Sequence, residues 1–243
     1  PVYNEYYLCS DSHERLFFQG EWQDGLVPQH GIQQVDRSQY DQFFSFVDGL
    51  KKRKGRDGKP LFNIPLEQSS KDVEFLALDR VSMADFMASK GWTSSYLNWY
   101  VNYCCRDDYG MSHAKVSAWA GLHYFASRSG QGANTDAQTV LTWPEGNGFL
   151  VSKLREKVVS QIKNQSLVFK IKNSNSQKIE VDVFDTDLQK CTRYIAENVI
   201  FAGPRYVAEK VISDYTPSAA LDYSPWMVAN ITLRERPPSR GAQ

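Results

Sequence analysis

The sequence has no excess charge, few cysteines and no long apolar run. Lys and Arg (28) balance Asp and Glu (28) among the 243 residues, so neither nucleic acid nor an anionic membrane surface is favoured as a partner. Four cysteines are too few to form a disulfide scaffold in a chain of this length. No apolar run approaches the roughly eighteen residues that a membrane-spanning helix needs. These absences predict a globular protein of one large or two small domains, with buried thiols and no membrane span.

Metal and dinucleotide signatures are also absent. Cys104 and Cys105 are adjacent rather than spaced as metal ligands, and no two of the four histidines stand four residues apart as zinc ligands on a helix do. We therefore predict no metal site. The run Gly146-Asn-Gly148 lacks the third glycine of a dinucleotide-binding loop and the acidic residue that follows such a loop. The chain starts at Pro1 without a signal peptide, which suggests a fragment or a processed product and leaves the compartment open between cytoplasm and periplasm.

Aromatic runs and helical spacing organise the first part of the chain. Residues 6–9 and 15–19, separated by turn formers, predict a hairpin that is followed by a loop over residues 22–34. Apolar residues from Tyr40 to Leu50 recur at helical spacing and predict a helix with Asp36 as its N-cap. The basic run over residues 51–56 is interpreted as the solvated end of this helix rather than as a binding patch.

More helices are predicted in the middle of the chain. Ser82 and Asp85 have the spacing of a capping box, in which a side-chain oxygen accepts from a free amide at the start of a helix. The helix that they start is expected to end at Gly91. A further helix is expected to begin near Ser94 or Ser95, to carry its apolar stripe as far as Cys104 and to stop by Gly110, and another is expected from Ser112 onward.

The last part of the chain changes from helical to alternating periodicity. Apolar spacing between Val151 and Ile162 predicts an amphipathic helix with Asn147 as its cap. Alternating residues predict strands at 167–171 and 179–184, which form a hairpin, and at 198–202 and 226–233. A helix is expected through Val207 and Val211. The predicted fold class is mixed α+β.

Three motifs occur in a recognisable order. Trp143-Pro-Glu-Gly-Asn-Gly148 opens a helix, Val168-Phe-Lys-Ile171 forms a strand, and Ala196-Glu-Asn-Val-Ile-Phe-Ala-Gly-Pro204 closes a meander. In this order the motifs resemble those of FAD-dependent amine oxidase-like flavoproteins, the superfamily of monoamine oxidase and phytoene desaturase. The last motif departs from the family pattern by one extra residue before its proline. Residues 105–110 and 117–126 are similar to a bacterial branch of these flavoproteins.

The resemblance implies an oxidoreductase with FAD as its cofactor. The enzyme would remove a hydride from a C–N or C–C bond of a small organic substrate, and oxygen or another acceptor would reoxidise the flavin. Residues 1–142 would form a substrate-binding region, residues 143–215 part of a Rossmann-like FAD domain with a helix and a three-stranded β-meander, and residues 216–243 would return to the substrate region. The family's N-terminal dinucleotide motif and its C-terminal glycine motif are missing. The chain is therefore expected to be an internal fragment that binds FAD weakly or not at all, with the missing segments of the same protein as its partners.

The resemblance also implies which residues contact the cofactor. The valine of the strand motif, Val168, would meet the adenine edge through its backbone. Gly146 and Gly148 ahead of a helix allow a planar ligand to approach closely, and free amides at the helix start can meet an anionic or carbonyl group. A simple turn explains these two glycines equally well. The full predicted set is Trp143, Pro144, Glu145, Gly146, Gly148, Val168, Ala202 and Pro204.

Two groups of side chains are candidates for catalysis. Arg106, Asp107 and Tyr109, which follow the end of a predicted helix, would supply a clamp for a substrate carboxylate and an acid–base pair on one loop. The alternative is an ion pair at a helix end with exposed acids. Trp119 and His123 share a helical face and would form an aromatic wall with a polar tip facing the flavin. The alternative is a hydrogen-bonded core histidine.

A second class of function competes with the enzyme. Aromatic residues make up 13% of the chain, a content that would also suit a non-catalytic module whose aromatic side chains line a surface for a carbohydrate or a peptide. Cavity shape decides the substrate of a flavoenzyme, and no charged motif in this sequence selects an amine over a hydrocarbon.

Overall fold

The computed structural model describes residues 1–9, 14–128, 132–136, 139–174, 177–218 and 223–235. The chain divides into two compact units. Unit 1 comprises Pro1–Thr142 and the chain from Ser224 onward, and unit 2 comprises Trp143–Tyr223. Helices and small open antiparallel sheets alternate along the chain, which confirms the predicted mixed α+β class. Within the described residues, no helix combines the length and the apolar character needed to cross a membrane.

Unit 1 is mainly helical. In its described part the α-helices are α1 (Gln34–Lys52), α2 (Val73–Leu76), α3 (Met83–Ser89), α4 (Ser95–Tyr109) and α5 (Ala118–Ala126). Short 3-10 helices occupy Glu5–Tyr7, Leu66–Gln68 and Ala77–Arg80. The strands are β1 (Leu8–Cys9), β2 (Arg15–Phe18), β3 (Glu21–Asp24) and β4 (Val140–Leu141).

The core of unit 1 lies between α1, α3, α4 and α5. Phe43 from α1, Met87 from α3 and Leu97 from α4 are fully buried there. Each such side chain contributes about 1.5–3 kcal/mol by leaving water. The edge-to-face contacts of Phe43 with Trp92 and Phe125, at centroid distances of 5.4 and 5.0 Å, extend this core with aromatic rings.

The helix ends of unit 1 test the capping predictions. The hydroxyl of Ser82 accepts from the backbone N–H of Asp85 at 3.0 Å, which confirms the predicted cap of α3. Ser94 caps α4, and Gly110 ends it with a left-handed backbone at φ 65°, as predicted. The cap proposed for Asp36 is wrong, because α1 already begins at Gln34. The Asp36 carboxylate accepts instead from the Ser94 hydroxyl, at 2.6 Å.

Three further predictions for unit 1 are wrong because a pairing partner or a helix cap lies elsewhere in the chain. The predicted hairpin of residues 6–9 with 15–19 is wrong, since β1 pairs with β4 and β2 pairs with β3. Trp22 consequently lies in a strand rather than in the predicted loop over residues 22–34. The helix expected from Ser112 begins only at Ala118, because the hydroxyl of Ser117 caps it by accepting from the N–H of Ala120 at 3.2 Å.

Unit 2 contains a three-stranded antiparallel meander and two helices in its described part. The elements are α6 (Gly148–Glu156), a 3-10 helix (Val159–Gln161), β5 (Ser166–Asn173), β6 (Ile179–Asp185), β7 (Lys190–Ala196) and α7 (Arg205–Val211). The predicted β5–β6 hairpin and the helix through Val207 and Val211 are confirmed. Asn147 precedes α6, but its side chain makes no capping hydrogen bond, so the predicted cap is wrong.

The third strand of the meander lies earlier than predicted. β7 covers Lys190–Ala196, whereas residues 198–202 form no strand. Side-chain pairing explains this register: the Arg193 guanidinium donates to both carboxylate oxygens of Asp182 on β6, at 2.6 and 3.0 Å. Residues 226–233 also form no strand. Their alternation satisfies a strand pattern, but a strand needs a neighbour that supplies hydrogen bonds.

Candidate functional site

A groove beside α5 is the best-formed candidate site in unit 1. Its volume is about 740 Å³, within the range of roughly 300–1,000 Å³ that is usual for small-molecule sites. The 3-10 helix Leu66–Gln68, the segment Leu76–Asp79 and the start of α5 form its sides. The lining side chains that matter for recognition are Leu66, Glu67, Lys71, Leu76, Asp79 and Trp119.

Trp119 is the aromatic wall of this groove. Its ring stacks on that of His123, with centroids 5.2 Å apart and planes inclined by 22°, and it also contacts Phe62 at 5.4 Å. The indole Nε1 is buried and has no hydrogen-bond partner among the described residues. A buried donor without an acceptor costs about 1–3 kcal/mol.

His123 has a structural partner. Its Nε2 lies 2.9 Å from the backbone carbonyl oxygen of Asn63, to which the ring nitrogen donates. The structure thus brings Trp119 and His123 together, as the helical spacing predicts. The carbonyl contact favours the alternative of a hydrogen-bonded core histidine over a polar tip that faces a ligand.

The second predicted catalytic group lies inside a helix. Arg106, Asp107 and Tyr109 occupy the last turn of α4, so the predicted position on a loop past the helix end is wrong. Good helix capping by Gly110 extends α4 through these residues. Arg106 and Asp107 are exposed.

Tyr109 joins α4 to α5. Its hydroxyl donates to the backbone carbonyl of Ala120 at 2.7 Å, and burial, followed by the neighbouring Asp108 charge, raises the pKa of Tyr109 to about 12. The phenol is therefore protonated at neutral pH and already bonded. The adjacent Asp108 pairs with Arg128 at 3.1 Å, as in the alternative of an ion pair at a helix end.

The sequence patterns do not predict the charged groups at the groove. Asp79 accepts from the Ser117 hydroxyl at 2.6 Å, and Glu67 and Lys71 are exposed beside it. These residues lie in short 3-10 turns and loops, where no periodicity marks one face. Only the tertiary arrangement of α5 against this segment shows that they share a groove.

A second depression, of about 500 Å³, lies beside Arg56, Asp57 and Asp72. Two of its three acids, Asp57 and Asp72, are already satisfied by the protein. Asp57 accepts from the N–H of Lys71 and the hydroxyl of Ser70, both at 2.8 Å, and these bonds lower its pKa. The carboxylate of Asp72 accepts from the N–H of Arg56 at 3.0 Å, which lowers its pKa likewise. This network holds a loop in place.

The predicted cofactor turn lies at the start of unit 2. Gly146 has a left-handed backbone at φ 62°, and its N–H donates to the carbonyl of Trp143 at 2.8 Å. The Trp143 ring stacks on Phe149 with centroids 5.5 Å apart. Pro144 and Glu145 are exposed. The turn is thus a preformed, solvent-facing lead into α6.

Gly148 and the three remaining predicted cofactor residues also lie in unit 2. Gly148 is the first residue of α6 and is exposed. Val168 stands in β5 opposite Val183, next to a register shift between Val168 and Lys170; such bulges are common beside functional sites. Ala202 is exposed, and Pro204 is the N-cap residue of α7.

The described residues contain no group of three or more His, Cys, Asp or Glu side chains that could hold a metal ion. The predicted catalytic residues all belong to unit 1, and the predicted cofactor residues all belong to unit 2.

The fold is similar to part of putrescine oxidase. A structure of the wild-type enzyme bound to putrescine matches with a TM-score of 0.52 and 14% sequence identity. A triple mutant from the same structure-based redesign of cofactor binding matches with a TM-score of 0.51 and 13% identity. Each match covers 82% of this chain but 41% of the putrescine oxidase chain, so this chain spans less than half the length of those proteins. At these identities the likeness concerns the fold alone. No protein-family model and no curated protein matches the sequence.

Proposed function

We propose that this chain is part of an FAD-dependent oxidoreductase of the amine oxidase-like type, which removes a hydride from a small organic substrate such as an amine. Residues 143–215 would contribute to the FAD domain, and residues 1–142 and 216–243 to the substrate region. The observation that carries the proposal is the similarity of the fold to putrescine oxidase over 82% of the chain. The order of the motifs at 143–148, 168–171 and 196–204 supports the same family independently.

The residues of the turn before α6 fit a flavin. A Cβ atom added at Gly146 or Gly148 would meet no protein atom within 4 Å, which leaves room for a planar group to approach the backbone. The Asn147 side chain makes no capping hydrogen bond, so it does not block the start of α6, where helix amides favour a carbonyl or anionic group; the Phe149 N–H already donates to the Gly146 carbonyl at 3.2 Å. Trp143, Pro144 and Glu145 would border the ring, and the backbone at Val168, Ala202 and Pro204 would approach other parts of the cofactor.

The chemistry divides between the cofactor and the protein. Bound FAD would supply the hydride acceptor. The chain's own residues would bind and orient the substrate and exclude water from it. We assign the wall beside the substrate to Trp119, its support to His123, and the fixed packing of α4 on α5 to Tyr109. Arg106 and Asp107 are proposed as exposed groups that attract a charged substrate.

An apolar face of unit 2 supports additional polypeptide of the same protein as a partner. α6 buries none of its residues, and Val151 and Leu154 are 63% and 68% exposed. An amphipathic helix normally buries its apolar stripe against another element. We propose that this stripe packs on the part of the FAD domain that contains the dinucleotide-binding loop.

Flavin binding by the full product of the gene tests the proposal. We expect a yellow protein with a flavin absorption band and an FAD-dependent rise in melting temperature. Gly148→Leu should abolish flavin binding because the new side chain would occupy the space of the ring. Gly49→Leu is the matched control, since a Cβ at Gly49 on α1 also meets no protein atom within 4 Å. A colourless protein that FAD does not stabilise would overturn the proposal.

A non-catalytic module remains the second candidate, and one observation favours it. Trp99 and Tyr103 stack on the surface of α4 with centroids 5.8 Å apart, and they are 48% and 42% exposed. Exposed parallel rings of this kind suit a sugar ring or a peptide. Binding of an oligosaccharide that Trp99→Ala abolishes, in a protein without flavin, would decide for the module.

A further inference from the structure

We infer that the groove beside α5 binds a small amphoteric molecule, one that carries an ammonium group, a carboxylate and an apolar side chain. The inference concerns side chains of unit 1 only. It is independent of the proposed flavin chemistry, because a ligand can bind this groove whether or not a flavin binds elsewhere.

The groove offers charges of both signs. Glu67 and Asp79 supply carboxylates, and Lys71 supplies an ammonium group. Asp79 is oriented by the Ser117 hydroxyl at 2.6 Å, which occupies one of its two oxygens. Within the described part of the chain, the Lys71 ammonium and the Glu67 carboxylate have no ion-pair or hydrogen-bond partner. These groups can therefore pair with a ligand of opposite charges at no cost to an existing contact.

Apolar side chains separate the charges. Leu66 and Leu76 are 59% and 42% exposed, although both line the groove, and Trp119 forms its aromatic wall. Covering such surface favours binding because apolar area is removed from water. A ligand that carried only the two charged groups would leave this apolar surface in contact with water. The inferred ligand therefore includes an apolar side chain.

The neighbouring depression shares Lys71 with the groove, but two of its three acids are already used. The carboxylates of Asp57 and Asp72 already accept backbone amides and the hydroxyl of Ser70, and these bonds would have to break before a ligand cation could replace them. In the groove, by contrast, the Glu67 carboxylate has no hydrogen-bond or ion-pair partner among the described residues. Asp57 and Asp72 are therefore not available to a ligand, whereas Glu67 and Asp79 of the groove are.

Three probes with one skeleton test the inference by calorimetry on the full chain. Phenylalanine carries both charges, 2-phenylethylamine only the cation and 3-phenylpropanoate only the anion. We expect phenylalanine to bind at least about tenfold more tightly than either analogue, which corresponds to about 1.4 kcal/mol. Lys71→Met should weaken phenylalanine about tenfold and leave 2-phenylethylamine unchanged. Lys52→Met, at the exposed end of α1, is the matched control and should change neither.

Each other result overturns the inference. Equal binding of phenylalanine and 2-phenylethylamine would show that the carboxylate is not recognised and that the groove takes simple cations. Equal binding of 3-phenylpropanoate would show a simple anion site. If Lys71→Met fails to fold, Asp79→Asn gives the complementary test, since it should weaken phenylalanine and 2-phenylethylamine but not 3-phenylpropanoate. Absence of binding by all three probes at millimolar concentration also refutes the inference.

Discussion

The indole ring of Trp119 and the imidazole ring of His123 stack at 5.2 Å on adjacent turns of α5. The imidazole is held in turn, because its Nε2 donates to the Asn63 carbonyl at 2.9 Å. The groove wall is thus fixed to the loop that contains Asn63 by the stacking contact and the hydrogen bond of His123, and also by the ring of Phe62, whose centroid lies 5.4 Å from that of Trp119. The orientation of the Trp119 ring depends on the His123 ring, even though the Nε2 atom of His123 is hydrogen-bonded to a backbone carbonyl.

Two substitutions of His123 should distinguish the contribution of the hydrogen bond to stability from that of the stacking contact. His123→Phe keeps an aromatic ring against Trp119 but removes the donor to Asn63, so we expect a loss of about 1–2 kcal/mol in the free energy of unfolding. His123→Ala removes the stacking as well and should cost more. Denaturant unfolding monitored by tryptophan fluorescence measures both. His30→Phe at the exposed His30 is the control. Equal stability of all three variants would show that the contacts of His123 do not stabilise the fold.

The N-cap of α3 gives a second prediction. Ser82 accepts from the N–H of Asp85 at 3.0 Å, and its hydroxyl donates to the Asp85 carboxylate at 2.7 Å. Ser82→Ala leaves a helix amide without its acceptor and should lower the free energy of unfolding by about 0.5–2 kcal/mol. Ser45→Ala, on the exposed face of α1, is the control. A Ser82→Ala loss no larger than that of Ser45→Ala would contradict the capping role.

Local signals explain which parts of the fold the sequence could predict. The caps at Ser82 and Ser94 depend on residues within three positions of each other, and the helical stripe of α1 depends on its own spacing. The pairing of Leu8 with Leu141 joins positions more than a hundred residues apart, so no local pattern could have predicted it. The strand pattern at residues 198–202 forms no strand for the same reason: alternation concerns side chains, whereas a strand needs a pairing partner.

The same distinction applies to the candidate site. The four-residue spacing of Trp119 and His123 predicts their shared face, because both lie on one helix. The Asn63 carbonyl that holds His123, and the Asp79 carboxylate that completes the groove, come from other segments. The bonding of Tyr109 to Ala120 likewise depends on the packing of α4 against α5. Side-chain chemistry can be proposed from sequence, but its partners need the fold.

The carboxylate of Asp57 should make stability depend on pH. Hydrogen bonds from the Lys71 amide and the Ser70 hydroxyl lower its pKa in the folded protein. A lowered pKa means that the stabilisation is present above the ordinary value and is lost as the pH falls through the folded value. Asp57→Asn should therefore be less stable than the wild type at pH 7, and the difference should shrink as the pH falls below the ordinary carboxylate value of 3.8.

Thermal unfolding across this pH range measures the Asp57 effect. Asp41→Asn changes a carboxylate on the exposed side of α1 and serves as the control, for which we expect a curve parallel to that of the wild type. A constant difference between Asp57→Asn and the wild type from pH 7 to pH 3 would show that the Asp57 carboxylate is not the titrating group.

The four cysteines should differ sharply in reactivity. Burial raises the pKa of Cys104 to about 11 and that of Cys105 to about 12, so at pH 8 only about 0.1% and 0.01% of these thiols would be ionised. Both side chains are also shielded within the core of unit 1. Cys191 is exposed on β7 and Cys9 is partly exposed on β1.

A disulfide reagent that releases a coloured thiolate can follow this difference. We expect a fast phase from Cys191, a slower one from Cys9, and reaction of Cys104 and Cys105 only after denaturation. Cys191→Ser should remove the fast phase and leave the folded stability unchanged, because the side chain is exposed. Cys105→Ser should instead destabilise the protein, since a hydroxyl would replace a buried thiol in the hydrophobic core. Rapid modification of more than two thiols in the native protein would contradict the burial of the vicinal pair.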